Sequence, residues 1–221
     1  GALLAGGCEP GDRVLIMAPN CLEYVLAWFG SMMAGLVEVP INTAYRGSFL
    51  EHQVRTVAPT AAVVDAAFVP HFLEIEAAKA IRTFYVLGEA DEAIARLREA
   101  GWAAEPFTAL TSAERPAQLP EVAYNDLAAI LFTSGTTGLS KGVEMPHAHF
   151  YFFADECVSL CRLTDADAHM AVGPLFHGNA QFLAAYPAMI VGARFVLQQK
   201  FSASRWVDQL RESQVTVTNF I

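Results

Sequence analysis

Charge is scarce in this sequence, at 17% of residues, and what there is leans to one sign: 14 lysines and arginines against 23 aspartates and glutamates, a net charge of −9. The acidic excess runs along the whole chain, so no basic stripe exists. That excludes the electrostatic footprint of a nucleic-acid binder. It also means that any anionic ligand must be met by a local device, because the overall field repels it. Cysteine is equally sparse. Cys8, Cys21, Cys157 and Cys161 form no C-x-x-C pair, which argues against a disulfide framework and reads as reduced thiols in a cytoplasmic protein. Cys157 and Cys161 stand one helical turn apart, too little by themselves for a metal site. Nor is there a long uninterrupted apolar run. Residues 168–193 carry no formal charge, yet they include Pro174, His177, Asn179, Gln181 and Pro187, which are costly in lipid. We read that stretch as buried strand, loop and helix, and expect no transmembrane segment. The opening Gly1–Gly7 lacks the basic flank of a secretory signal, so none is expected there. Repeats and low-complexity tracts are missing as well.

What the sequence does have is apolar material, 54% of it, in a pattern that alternates between two periods. Short apolar runs at Arg13–Met17, Leu36–Pro40, Ala61–Asp65, Thr83–Leu87 and 127–132 read as strands, with later ones near 168–172, 193–197 and 215–219. Between them lie helical segments. Asn20 is a candidate N-cap, with Glu23 three residues on and Leu22, Val25, Leu26, Phe29 and Met33 at helical spacing. Ser48-Phe49-Leu50-Glu51 resembles a capping box, and its helix should end before Pro59. Further helices are expected near 70–80, 90–100, 147–162, 179–188 and 203–213. The aromatic run Phe150–Phe153 is expected to form the buried face of its helix. From Gly101 to Asn125 the periodicity fades among Pro106, Pro116 and Pro120, a surface excursion or subdomain boundary. Five-residue strands alternating with longer helices indicate an α/β fold of stacked βαβ subdomains with largely parallel sheets.

After the strand ending at Phe132 comes Thr133-Ser134-Gly135-Thr136-Thr137-Gly138-Leu139-Ser140-Lys141-Gly142. Glycines allow tight turns that bring backbone N–H groups to an anion. Hydroxyls add donors or ligate the magnesium that accompanies nucleotide phosphates, and Lys141 supplies a full positive charge. This is the local device that an acidic protein needs. It is not a Walker A loop, which requires Gly before the lysine and Ser or Thr after it; here Ser140 precedes Lys141 and Gly142 follows. It also lacks the G-x-G-x-x-G spacing of dinucleotide folds. His147-Ala148-His149 has no acidic or cysteine partner at ligand spacing and reads as the start of a helix.

The loop resembles the signature T-S-G-[ST]-T-G-x-P-K-G of the adenylate-forming superfamily: acyl-CoA and aryl-CoA synthetases, peptide-synthetase adenylation domains and firefly-type luciferases. Thr133 to Gly142 matches it except at Ser140, where proline is usual. Pro10–Val14 with Ala18-Pro19-Asn20, and Met33–Leu36 with Val39–Asn42, are similar to the superfamily's first segments. Pro174-Leu175-Phe176-His177 resembles its aromatic–histidine motif. Phe176-His177 and Gly192–Leu197 resemble the acyl-CoA synthetase branch, and Lys200–Ala203 with Trp206 is similar to carnitine/crotonobetaine-CoA ligases.

The resemblance implies part of a large N-terminal adenylation domain spanning 1–221, with the small mobile C-terminal domain outside the chain. It implies ATP, Mg2+ and CoA as cofactors and a small-molecule carboxylic acid as substrate. The acid would form an acyl-adenylate with release of pyrophosphate, and the CoA thiol would then displace AMP. Thr133, Ser134, Gly135, Thr136, Thr137, Gly138 and Lys141 would hold the β- and γ-phosphates, with Thr137 at the magnesium. His177 would sit at the acyl carboxylate as the catalytic candidate, and Phe176 at the wall of the pocket. The superfamily's ribose-binding aspartate, magnesium-binding acid and catalytic lysine have no counterpart within these residues, so the 221-residue chain alone is expected to be inactive. Two alternatives stay open: an adenylation domain that loads a carrier protein, and a non-catalytic α/β binding domain with a relic loop.

Overall fold

The computed structural model describes residues 1–114, 116–133 and 139–219. It divides into two compact units, Gly1–Ala18 with Glu23–Pro146, and Pro19–Leu22 with His147–Ile221.

In chain order the first unit comprises α1 (Ala2–Ala5), β1 (Arg13–Met17), α2 (Leu22–Met33), β2 (Val37–Pro40), α3 (Ser48–Val57), β3 (Ala61–Asp65), α4 (Val69–Leu73), β4 (Thr83–Leu87), α5 (Asp91–Glu99), β5 (Ala103–Pro106), α6 (Thr108–Thr111), β6 (Leu127–Phe132) and β7 (Gly142–Pro146). The seven strands form one sheet in the order β5-β4-β3-β1-β2-β6-β7. Every neighbouring pair is parallel except β6–β7. This is the expected α/β architecture, and the bounds of β1, β2, β3, β4 and β6 agree closely with the apolar runs, whereas β7 was not among the expected strands. Val14, Leu15, Ile16 and Met17 of central β1 are all fully buried, as a strand covered on both faces requires. On one side of the sheet, Leu15, Val39, Leu50, Val54, Phe72 and Phe84 belong to a single core cluster. Phe84 stands edge-on to both Phe72 and Trp102, with ring centroids 5.6 Å apart in each pair.

Four local expectations are corrected. The buried residues of α2 are Tyr24, Val25, Ala27, Trp28, Ser31 and Met32, so of the expected set Val25 is buried whereas Leu22, Leu26 and Met33 are exposed. The helix is apolar nearly all round, so two faces satisfied the same spacing and packing chose one. In α3, Gly47 occupies the N-cap with φ 53° and Ser48 begins the helix without a capping bond. The capping box does not form because the Glu51 carboxylate accepts the Ala77 N–H at 2.9 Å and pairs with Arg55. The helix expected near 70–80 is instead α4 and a separate 3-10 turn at Glu76–Ala80, parted by extended Ile75. Finally, β5 lies inside the stretch without periodicity. It pairs on one side only and exposes three of its four residues, so it needs no apolar alternation.

The second unit holds α7 (His147–Cys161), β8 (Ala168–Ala171), α8 (Gly178–Ala180), which runs through a π-helical turn at Gln181–Ala185 into α9 (Tyr186–Val191), then β9 (Arg194–Leu197), α10 (Trp206–Glu212) and β10 (Val217–Thr218). Its sheet has the order β10-β8-β9, parallel throughout. Gly192 ends α9 at φ 73°, a left-handed conformation that only glycine adopts without steric cost. In α7, Phe150 is fully buried, but Tyr151, Phe152 and Phe153 are exposed. Four consecutive residues advance about 100° each around a helix, so they cannot share one buried face. Among the described residues the four cysteines form no disulfide. Cys157 and Cys161 lie with sulfurs 3.9 Å apart, and burial, with the neighbouring Cys161, pushes the Cys157 thiol up to about 12. Among the described residues no helix is long and apolar enough to cross a membrane.

His169 gives this unit a pH dependence. It is 1% exposed, and neither ring nitrogen has a hydrogen-bond partner among the described residues. Burial lowers its pKa below the ordinary 6.5, against a smaller opposing pull from Asp167. The folded state therefore binds fewer protons than the unfolded chain, and stability falls as pH drops below 6.5. Urea unfolding midpoints at pH 7.5 and pH 5 should differ, and His169→Leu should flatten that slope. An unchanged slope in the variant would refute this origin.

Candidate functional site

The glycine- and hydroxyl-rich loop is the connection between β6 and β7, beginning at the carboxyl end of β6. The two strands pair antiparallel, Phe132 opposite Gly142 and Leu131 opposite Val143. The ladder extends one step further into the loop. The Thr133 N–H donates to the Lys141 carbonyl at 3.0 Å, and the Lys141 N–H donates to the Thr133 hydroxyl oxygen at 3.2 Å. Thr133 and Lys141, the outermost binding residues expected from the sequence, are thus brought together at the neck. Ser134, Gly135, Thr136, Thr137 and Gly138, which were expected to contact phosphate, lie outside the described residues.

Gly142 packs closely at the neck. A Cβ there would stand 2.8 Å from Ile130 Cγ2, so the Ile130 side chain would have to shift. Lys141 is exposed, and among the described residues it belongs to no ion pair. Its charge is available to a ligand, in a chain whose net charge of −9 otherwise repels anions. Ser140, beside it, is held by α3: its carbonyl accepts from His52 Nε2 at 2.8 Å, and its hydroxyl oxygen accepts from the Gln53 amide at 3.2 Å.

Within the second unit, Gly173–His177 forms a tight loop between β8 and α8. The His177 N–H donates to the Pro174 carbonyl at 3.0 Å, and the His177 carbonyl accepts from Ala180 at 3.1 Å. Leu175 is fully buried, Phe176 is half-buried and His177 is exposed, with the two rings 4.6 Å apart. Partial desolvation holds the His177 imidazole below its ordinary 6.5. At pH 7 it is a neutral hydrogen-bonding group rather than a cation. A Cβ at Gly178 would meet the Phe182 ring at 2.4 Å, so any larger residue there would displace that ring. Phe182 stacks on Phe153 at 5.7 Å and stands edge-on to Phe150 at 4.6 Å.

This loop is fastened by a residue that local patterns assigned to a different task. Asn20 is not the cap of α2. Its side-chain oxygen accepts the Leu175 N–H at 2.7 Å, and its amide donates to the carbonyls of Gly173 at 3.1 Å and Gln198 at 3.0 Å. Every polar atom of that side chain is engaged on the histidine loop and the segment after β9. Neither this role nor that of His52 and Gln53 carries a local signal. An asparagine after Pro19 looks like a cap from sequence, and its partners lie about 150 to 180 residues away.

Comparison with known proteins gives this geometry a context. The chain matches the AMP-binding enzyme family over residues 1–221. It is 34% identical over 222 residues to the crotonobetaine/carnitine–CoA ligase of Salmonella agona (strain SL483), a match covering 97% of this chain and 41% of that protein. The chain therefore spans about two-fifths of the curated relatives it matches. Its fold is similar to that of the anthranilate CoA ligase AuaEII in complex with anthranoyl-AMP (TM-score 0.88, 22% identity, 98% of this chain and 41% of that one). It is similar also to apo MbtA of Mycobacterium smegmatis (TM-score 0.82, 28% identity, 98% and 40%).

Proposed function

Because the chain belongs to the AMP-binding enzyme family, we propose that it is the loop-bearing part of an AMP-forming acid–thiol ligase that activates a small carboxylic acid with ATP and passes the acyl group to CoA. The observation that carries this reading is the loop drawn closed between Thr133 and Lys141, with a lysine at its neck that belongs to no ion pair among the described residues. Its match to a CoA ligase of carnitine and crotonobetaine favours a small acid of that kind.

In the first half-reaction a carboxylate oxygen attacks the α-phosphorus of ATP, the bond to the β-phosphate oxygen breaks, and pyrophosphate leaves. In the second, the CoA sulfur attacks the acyl carbonyl and the bond to AMP breaks. Lys141 offsets the charge that builds on the departing pyrophosphate, and the backbone and hydroxyls of Thr133, Ser134, Gly135, Thr136, Thr137 and Gly138 orient it. Neutral His177 meets the acid carboxylate through a hydrogen bond rather than an ion pair, which restrains the nucleophile less. Phe176 walls the acyl side. Magnesium fits the loop as a hard ion that takes oxygen donors and phosphate oxygens. Thr137 is the proposed contact, and Thr133, whose hydroxyl oxygen accepts the Lys141 amide, is a donor of the same type. The ion supplies neutralisation of the phosphate charge when bound.

The test is carboxylate-dependent ATP–pyrophosphate exchange by the full-length protein across a panel of acids that includes carnitine and crotonobetaine. Exchange with one acid class identifies the substrate. CoA-dependent thioester formation then separates this reading from transfer to a carrier protein. Silence across the panel, with folding demonstrated, overturns the reading in favour of a relic loop.

A further inference from the structure

Position 140 is where this chain departs from the loop signature it resembles, having serine in place of proline. A proline there would restrict the chain directly, since its ring fixes φ. Serine cannot, yet the structure shows position 140 held by other means. The Ser140 hydroxyl oxygen accepts from the Gln53 amide at 3.2 Å, a bond that proline could not accept through its side chain. Next to Gln53 on α3, His52 Nε2 lies 2.8 Å from the Ser140 carbonyl. A carbonyl only accepts, so Nε2 carries the proton.

Gln53 is 1% exposed, an expensive place for an amide. Its oxygen has no hydrogen-bond partner among the described residues, so the bond to Ser140 is what offsets the burial. The helix that carries both residues is itself anchored. Leu50, Val54 and Val57 are buried in the core, and Arg13 donates to the carbonyls of Val57 and Ala58 at its end. A fixed helix thus grips one side of the loop's exit limb, while Thr133, just past β6, holds the next residue, Lys141.

From this geometry we infer that His52 and Gln53 are positioning residues for the phosphate loop. They replace the stiffness of a proline with two hydrogen bonds, so that the backbone carrying Lys141 is set before the phosphates arrive. The benefit is preorganisation: less of the binding free energy is spent on ordering the loop. The inference rests on the reading of this loop as the ATP site, and it adds the means by which the loop is held.

The test uses the full-length protein and a pair of changes. Gln53→Leu keeps the buried volume and removes the donor. It should raise KM for ATP in the exchange assay by about 5- to 10-fold, the size expected for one hydrogen bond, and leave KM for the acid within about twofold. Adding Ser140→Pro to Gln53→Leu should recover most of the loss, because the ring supplies the lost restriction. Should Gln53→Leu fail to fold, Ser140→Ala removes the acceptor without touching α3 and should raise KM for ATP in the same way. Equal rises in both KM values, or no recovery by proline, would overturn the inference. Hydrogen exchange of residues 139–143 without nucleotide is the independent arm: it should quicken in Gln53→Leu and in Ser140→Ala, and unchanged exchange overturns the inference. If the wild-type protein shows no ATP-dependent exchange reaction while these amides still quicken, the functional reading fails and the tether stands.

Discussion

Lys141→Ala in the full-length protein is expected to lower kcat/KM for ATP by about 10- to 150-fold, the loss of a charged hydrogen bond worth roughly 1.5–3 kcal/mol. The size follows from the setting. In a chain of net charge −9, this lysine is the formal positive charge within the phosphate loop. At ~4 Å and an effective dielectric near 20, its gross attraction to a unit phosphate charge is about 4 kcal/mol, of which only part survives as net binding. Lys141 is exposed and carries no ion pair among the described residues, so unfolding midpoints should hardly move. A change confined to nucleotide kinetics, at constant stability, identifies a ligand-binding charge. Unchanged kinetics in the variant would instead mark the loop as a relic.

Asn20→Ala is the second large effect, and it falls on stability. The substitution leaves the Gly173 and Gln198 carbonyls and the Leu175 N–H without the partners they now have. Buried groups abandoned in this way cost about 1–3 kcal/mol each and do not sum independently. A total of roughly 2–4 kcal/mol is expected, read from urea unfolding at pH 7.5. Asn20→Asp discriminates the cause. It keeps an acceptor for Leu175 but turns an acceptor toward two carbonyls, so it should not rescue the loss. Because the loop so fastened ends at His177, surviving activity should show a raised KM for the acid with KM for ATP little changed. A stability change under 0.5 kcal/mol, the range of ordinary surface substitutions, would show that these bonds are replaced by water.

These two residues stood very differently in the sequence. Lys141 stood out as a candidate because the pattern around it is local: glycines, hydroxyls and a lysine within ten positions are the residue types that a phosphate device uses. Asn20 was legible only as a residue type that caps helices, and that local rule lost to a tertiary one. Its three partners offered more than the N–H groups of α2 did, and they exist only once the Gly173–His177 loop is folded. The same competition took Glu51 away from its capping box, because the Ala77 N–H needed an acceptor.

Apolar runs of β length and helical spacing, both properties of neighbouring residues, were enough to determine the α/β class, most of the strands and the place of the glycine- and hydroxyl-rich loop at the end of β6. Tertiary structure decided what neighbours cannot. It selected which apolar face of α2 is buried, since both faces had the right period. It recruited β5 as an edge strand despite its exposed residues, because main-chain pairing to β4 does not depend on side-chain pattern. It set Gln53 against Ser140, 87 residues away, and Asn20 against Leu175, 155 residues away. Periodicity acts over a turn or a pleat and is written in order along the chain. A hydrogen bond between distant segments depends on where the fold has already carried them, and no local pattern records that.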